Sequence, residues 1–105
     1  MNHKGKASVM AGNEEINAAR EQINHLDESI VRLLVQRFQT AALIGQIKDR
    51  DNLPVLDNSR EQVVLNRVRT LDPDSHNGDY IENVYREILK NSRAYQHALI
   101  KANNN

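Results

Sequence analysis

The stretch Ile30-Val31-Arg32-Leu33-Leu34-Val35-Gln36-Arg37-Phe38-Gln39-Thr40-Ala41-Ala42-Leu43-Ile44-Gly45-Gln46-Ile47-Lys48 decides the fold. Ile30, Leu34, Arg37, Ala41, Ile44 and Lys48 succeed one another at steps of four and three, the spacing of one face of an α-helix. Two of these six are cations. At about 3.6 residues per turn and about 1.5 Å rise per residue, Arg37 and Lys48 stand about three turns and roughly 16 Å apart, side chains nearly aligned. Charge on a core-facing stripe is costly unless an anion meets it. Periodicity leaves two readings open: the cations snorkel to the surface or pair with acidic residues of neighbouring helices, or they line a pocket for a small polyanion inside a helical bundle.

Outward from this stretch, Glu14 to about Arg50 contains no proline and a sole glycine, Gly45. Apolar residues recur at Ile16, Ala19, Ile23, Leu26, Ile30, Leu33 and Leu34, then at Ala41, Ile44 and Ile47. The spacing predicts one helix of about 35 residues, against an average of about 11–12. A stripe sustained so far predicts packing against another long helix, such as that of a second copy of the chain. Residues 1–13 are polar, contain Gly5 and Gly12 and lack periodicity, and are expected to form a disordered N-terminal tail. Asp51-Asn52-Leu53-Pro54 ends the helix, because Pro54 cannot continue it and biases Leu53 to an extended conformation.

A second helix is expected from near Asn58, with Val64, Leu65, Val68 and Leu71 inward. Residues 72–78, Asp-Pro-Asp-Ser-His-Asn-Gly, read as a loop. A third helix is expected from about Asp79 to Ala102, carrying Ile81, Val84, Tyr85, Ile88, Leu89, Tyr95 and Leu99. No period-two alternation supports a strand. The expected fold is all-α, three helices (long, short, long), with residues 14–102 as one domain.

Composition narrows the function classes. Fourteen Lys and Arg balance fourteen Asp and Glu, so no general electrostatic case exists for nucleic acid or an anionic membrane, and any positive site must be local. The absence of cysteine excludes disulfides and thiolate metal sites and fits a reducing compartment. No apolar run approaches the roughly 20 residues that cross a bilayer, and no secretory signal is recognisable, so a cytoplasmic location is expected. In 105 residues with one Phe and no Trp, helices this long leave apolar surface uncovered, which predicts a partner chain.

The third helix repeats the oddity of the first. Ile81, Tyr85, Ile88, Ser92, Gln96 and Leu99 share one face, so two hydrogen-bonding side chains stand inward one turn apart. As core residues they would simply bond between helices. Asn58 with Glu61 three residues later resembles a capping box, in which Glu61 would only satisfy a backbone donor. Arg20 lies about a quarter turn off the Arg37 and Lys48 face, so it is either a solvated arginine or a residue that reaches a partner chain. His3, His25, His76 and His97 lack metal-ligand spacing, and no Gly-rich phosphate loop or Gly-x-Ser-x-Gly elbow is present. Tyr80, Tyr85 and Tyr95 read as packing residues.

In order and without large gaps between about Ile16 and Leu99 stand Ala19-Arg20-Glu21-Gln22-Ile23-Asn24-His25-Leu26-Asp27, Leu33-Leu34-Val35-Gln36-Arg37, Ile44-Gly45-Gln46-Ile47-Lys48, Pro54-Val55-Leu56-Asp57, Arg60-Glu61 and Ser92 to Gln96. Together they resemble the all-helical class of chorismate mutase. The resemblance implies an intertwined homodimer of three-helix subunits converting chorismate to prephenate, without metal or cofactor, on the route to phenylalanine and tyrosine. It implies that Arg20 reaches the partner's site and, with Arg37, binds substrate carboxylates. Lys48 would bridge a carboxylate and the ether oxygen of the breaking bond, and Gln96 would donate to that oxygen. Glu61 would accept from the ring hydroxyl with help from the Asp57 region, while Ser92 and Arg60 would support carboxylate binding and site geometry. Two alternatives stay open: an isochorismate pyruvate lyase, similar in fold, and a non-catalytic helical dimer that binds a regulator or partner enzyme.

Overall fold

The computed structural model describes residues 3–74 and 76–104, with side chains from Ala11 onward. Three helices succeed one another, α1 His3–Arg50, α2 Asn58–Leu71 and α3 Gly78–Asn103, and the described residues contain no strand. This is the all-α order, long, short, long, that the periodicity predicts. No described helix is long and apolar enough to cross a membrane.

The start of α1 differs from expectation: it is His3, not Glu14. Nothing before Glu14 stops a helix, since no proline occurs there and Gly5 and Gly12 each cost only about 1 kcal/mol relative to Ala. Met1 and Asn2 of the expected tail lie outside the described residues.

The chain packs as two units, Met1–Gln36 and Arg37–Asn105. In the first, the apolar residues of α1 stand in the open: Ile16, Ile23, Leu26, Ile30 and Leu33 are exposed by 50–58%. The second contains the core, where Ala41, Val55, Leu65, Val68 and Leu89 are buried and the polar Ser92 and Gln96 are buried as deeply. No described side chain there or elsewhere is fully enclosed, so this core is thin for its helices.

α1 ends before its proline acts. Asn52 adopts φ 57°, the left-handed conformation, while Leu53 N–H donates to Lys48 O at 2.7 Å and Asn52 N–H to Asp49 O at 3.2 Å. That pair of bonds is the Schellman pattern, with Asn52 in the place usually taken by glycine. It reverses the chain so that Val55 is buried back against the core. Beside it, the Arg50 guanidinium donates to Asp51 Oδ1 at 2.8 Å and holds the Asp51 carboxyl below the usual carboxylate range.

The cap of α2 also differs from expectation. Asp57, not Asn58, is the capping residue, its Oδ1 accepting from Arg60 N–H at 3.0 Å. Glu61 is therefore one position too far along for a capping box, and its carboxylate is turned to other partners. Between α2 and α3 the Asp72 carboxylate accepts from the N–H groups of Asp74 and Asn77. Arg69 near the end of α2 reaches Asp79 and Glu82 on α3, each at 2.8 Å, and the bond to Asp79 raises the Arg69 pKa further. This latch sets α2 against α3, which line the site together with the later part of α1.

Candidate functional site

A cavity of about 280 Å³ lies within the Arg37–Asn105 unit, near the lower end of small-molecule sites, which start at about 300 Å³. Seven of the eight residues singled out in the sequence line it: Arg37, Lys48, Asp57, Arg60, Glu61, Ser92 and Gln96. The eighth, Arg20, is exposed on α1 and is not a lining residue.

Arg37 is half-buried, held from two sides. Its Nη1 donates to Ser92 Oγ at 3.0 Å, and its guanidinium carbon sits 5.9 Å from the centre of the Tyr85 ring, within cation–π range. Ser92 in turn donates to Ile88 O at 2.8 Å, which fixes the hydroxyl so that it receives from Arg37. A guanidinium has five N–H donors, and the bond to Ser92 uses one.

Lys48 is anchored to the chain it precedes. Its Nζ donates to the Val55 carbonyl at 2.9 Å, a contact that the left-handed turn at Asn52 makes possible. An ammonium has three donors, so this bond orients the group without exhausting it. Among the described residues neither Arg37 nor Lys48 is paired with a carboxylate. The ion pairing allowed by the first reading is not present among the described residues: both cations rest on neutral acceptors.

Gln96 is buried against α1. Its Nε2 donates to the Ala41 carbonyl at 2.7 Å. Because that carbonyl can only accept, the amide nitrogen must face it, and the second N–H of the same nitrogen remains for the cavity. The approach depends on Gly45: a Cβ there would stand 3.0 Å from Gln96 Cγ and 3.2 Å from Gln96 Cβ. Glycine costs about 1 kcal/mol in a helix relative to alanine, so its place here has a packing reason. Ser92 and Gln96 thus make the interhelical bonds of ordinary core residues and line the cavity as well.

At the α2 side, Arg93 of α3 donates from Nη1 to both oxygens of Glu61. Asp57 and Arg60 are exposed at the mouth, with one Asp57 oxygen committed to the helix cap. The lining carries four cations, Arg37, Lys48, Arg60 and Arg93, against two carboxylates, Asp57 and Glu61, a net charge of +2. Such a cavity suits a small dianion that also offers a hydroxyl or ether oxygen.

Sequence reasoning missed three contributors. Gly45 was visible as an isolated glycine in a helix, and Arg93 as a cation next to Ser92 in the inward polar stripe. The Val55 carbonyl left no mark in the sequence, because every residue has one.

The chain matches the family described as chorismate mutase type II over residues 19–97. It is 34% identical over 80 residues to the bifunctional chorismate mutase/prephenate dehydratase of Aquifex aeolicus, covering 72% of this chain and 22% of that protein. Against the protein of the same name from Escherichia coli K12 it is 33% identical over 93 residues, 88% of this chain and 24% of that protein. A T-protein of Enterobacter agglomerans is 32% identical over 79 residues, 74% of this chain and 21% of its own. The chain therefore spans about a quarter of the length of these curated relatives. No solved structure matches.

Proposed function

The chain belongs to the type II chorismate mutase family, and from that premise we propose that residues 14–102 form a cytoplasmic enzyme that rearranges chorismate to prephenate, supplying phenylalanine and tyrosine synthesis. The observation that carries the reading is the pair of inward cations, Arg37 and Lys48, resting on the neutral acceptors Ser92 Oγ and Val55 O. Chorismate is a dianion, which the net +2 lining suits.

The reaction moves no group between molecules. One C–O bond of the ether breaks while a C–C bond forms, so the chain must fold a flexible dianion into a compact chair and stabilise the negative charge that grows on the ether oxygen. Arg37, with Arg60 and Ser92 in support, clamps the carboxylates and fixes the chair. Lys48 bridges a carboxylate and the ether oxygen, and Gln96 donates its second N–H to the same oxygen. Both donors are tethered before substrate arrives, so little reorganisation is needed as charge develops. Their bonds strengthen only towards the transition state and raise kcat more than affinity. Glu61, aided by Asp57, accepts from the ring hydroxyl.

The functional unit on this proposal is a homodimer. Ile16, Ile23, Leu26, Ile30 and Leu33 of α1, exposed by half or more in the single chain, pack on the partner, and Arg20 enters the partner's site to bind a carboxylate. The test is to incubate the protein with chorismate and, separately, with isochorismate and to identify the products. Prephenate from chorismate is expected. Salicylate and pyruvate from isochorismate, with chorismate untouched, would replace this reading by the lyase, and a folded dimer that turns over neither would leave the non-catalytic module.

A further inference from the structure

We propose that Arg93 is a positioning residue of this cavity: it cancels the charge of Glu61 and holds that carboxylate in place, so that a dianion meets a lining of +2 and not +1, with no uncompensated carboxylate in it. The proposal rests on the reading of the site as one for chorismate, and it concerns a residue to which the sequence pattern assigned no role.

A carboxylate inside an anion site is a contradiction that needs a resolution. Glu61 has a side chain only 22% exposed and shares the cavity with Arg37 and Lys48, yet it is paired with neither. Its partner is Arg93, itself 29% exposed and carried by α3, so the pair spans two helices. With Arg93 present the lining is +2, and without it +1, with Glu61 uncompensated and facing the incoming dianion. One nitrogen of Arg93 serves both carboxylate oxygens. Each oxygen keeps a further lone pair, so Glu61 can still accept a hydroxyl proton while it is held. The fork of the guanidinium is not used as a fork, so a lysine ammonium at this position could make the same contact.

This assigns a sign to a double substitution that a structural role would not produce. Arg93→Ala raises KM for chorismate about tenfold, with a smaller fall in kcat, by leaving a half-buried charge unpaired. Adding Glu61→Gln to Arg93→Ala removes the stranded charge while keeping an acceptor oxygen, and brings KM back to within about threefold of Glu61→Gln alone. Arg93→Lys remains within about threefold of the parent. The experiment measures kcat and KM for the parent, Arg93→Ala, Arg93→Lys, Glu61→Gln and the double variant, with circular dichroism and thermal melts confirming each fold. Calorimetric binding of prephenate to the same proteins gives a readout that needs no turnover. Recovery in the double variant supports the proposal, and a double variant no better than Arg93→Ala overturns it. Binding that follows this pattern in a protein that does not convert chorismate keeps the inference and removes the enzyme. Conversion without recovery does the opposite, and a parent that neither binds nor converts overturns both.

Discussion

The two stretches of α1 on either side of Gln36 have the same periodicity and different fates. Before it, Ile16, Ile23, Leu26, Ile30 and Leu33 are exposed by half or more. After it, Ala41 and Gly45 are buried, and Arg37 and Lys48 line the cavity. A helix stripe thus tells which face is to be covered and not by what. In the second stretch Gln96 of the chain's own α3 lies on Gly45 and bonds to the Ala41 carbonyl, while Leu43, Ile44 and Ile47 remain 38–56% exposed. In the first, the chain supplies no cover among the described residues, and the proposed dimer follows from that lack.

The comparison can be broken most severely in the second stretch's contact with Gln96. A glutamine donates at any ordinary pH, whereas a glutamate donates only when protonated and otherwise brings negative charge to an oxygen that is itself becoming negative. Gln96→Glu is expected to lower kcat at pH 7.5 by about 10²–10³, the usual cost of losing one such donor. Acidification through the introduced carboxyl's pKa should restore activity while the parent changes far less. A pH–rate profile checks this, and activity that falls on acidification in a folded protein would return Gln96 to a core hydrogen-bonding role.

Placing a charge on the first stretch attacks the other half of the comparison. Ile23→Asp is expected to weaken the dimer by about 2–4 kcal/mol, because the carboxylate would have to be buried without a partner. Sedimentation across a concentration series would reveal a shift towards monomer, with activity lost in parallel. A smaller effect is expected from Gly45→Ala. The added Cβ pushes Gln96 by a few tenths of an ångström off its place, so kcat should fall about tenfold with KM little changed. Steady-state kinetics separates the two, and a rise in KM alone would mean that Gly45 serves binding and not the placing of the amide.

The smallest effect lies at the end of α1, where the chain passes from helix to the Val55 turn. The Arg50 bond lowers the Asp51 pKa in the folded state, so its contribution to stability is present above the ordinary carboxylate value of about 3.9 and is lost as pH falls through the folded value. Asp51→Asn should therefore lower stability at pH 7 only slightly, because the pair is exposed, and remove a shallow acid-side slope that high salt also flattens. Urea unfolding between pH 2.5 and 7 checks it.

The legibility of this chain followed the range of each interaction. Helix order, the inward cations and the polar pair Ser92 and Gln96 are written in local spacing, which a single chain discloses. The resemblance supplied Asp57, Arg60 and Glu61, whose presence at one cavity depends on how α2 turns and not on any period. The sequence marks Asp51 to Pro54 together as a breaker, yet the left-handed turn comes from Asn52 itself, two residues before Pro54. α1 starts at His3 and not at Glu14 because helices tolerate polar residues that show no periodicity. The pairing of Arg93 with Glu61 joins residues on different helices, and no spacing rule reaches across a loop.

In the proposed dimer the two stretches of α1 serve different sites, Lys48 its own chain's and Arg20 the partner's. Arg20→Ala and Lys48→Ala chains, each inactive alone, are mixed in equal amounts, allowed to exchange subunits, and assayed for chorismate consumption. Random pairing makes half of the dimers hybrid, and each hybrid has one site with both cations and one with neither, so about a quarter of the parent activity should return. Activity that stays at the level of the separate variants after verified exchange would place Arg20 in its own chain's site or outside any site, and would contradict the account.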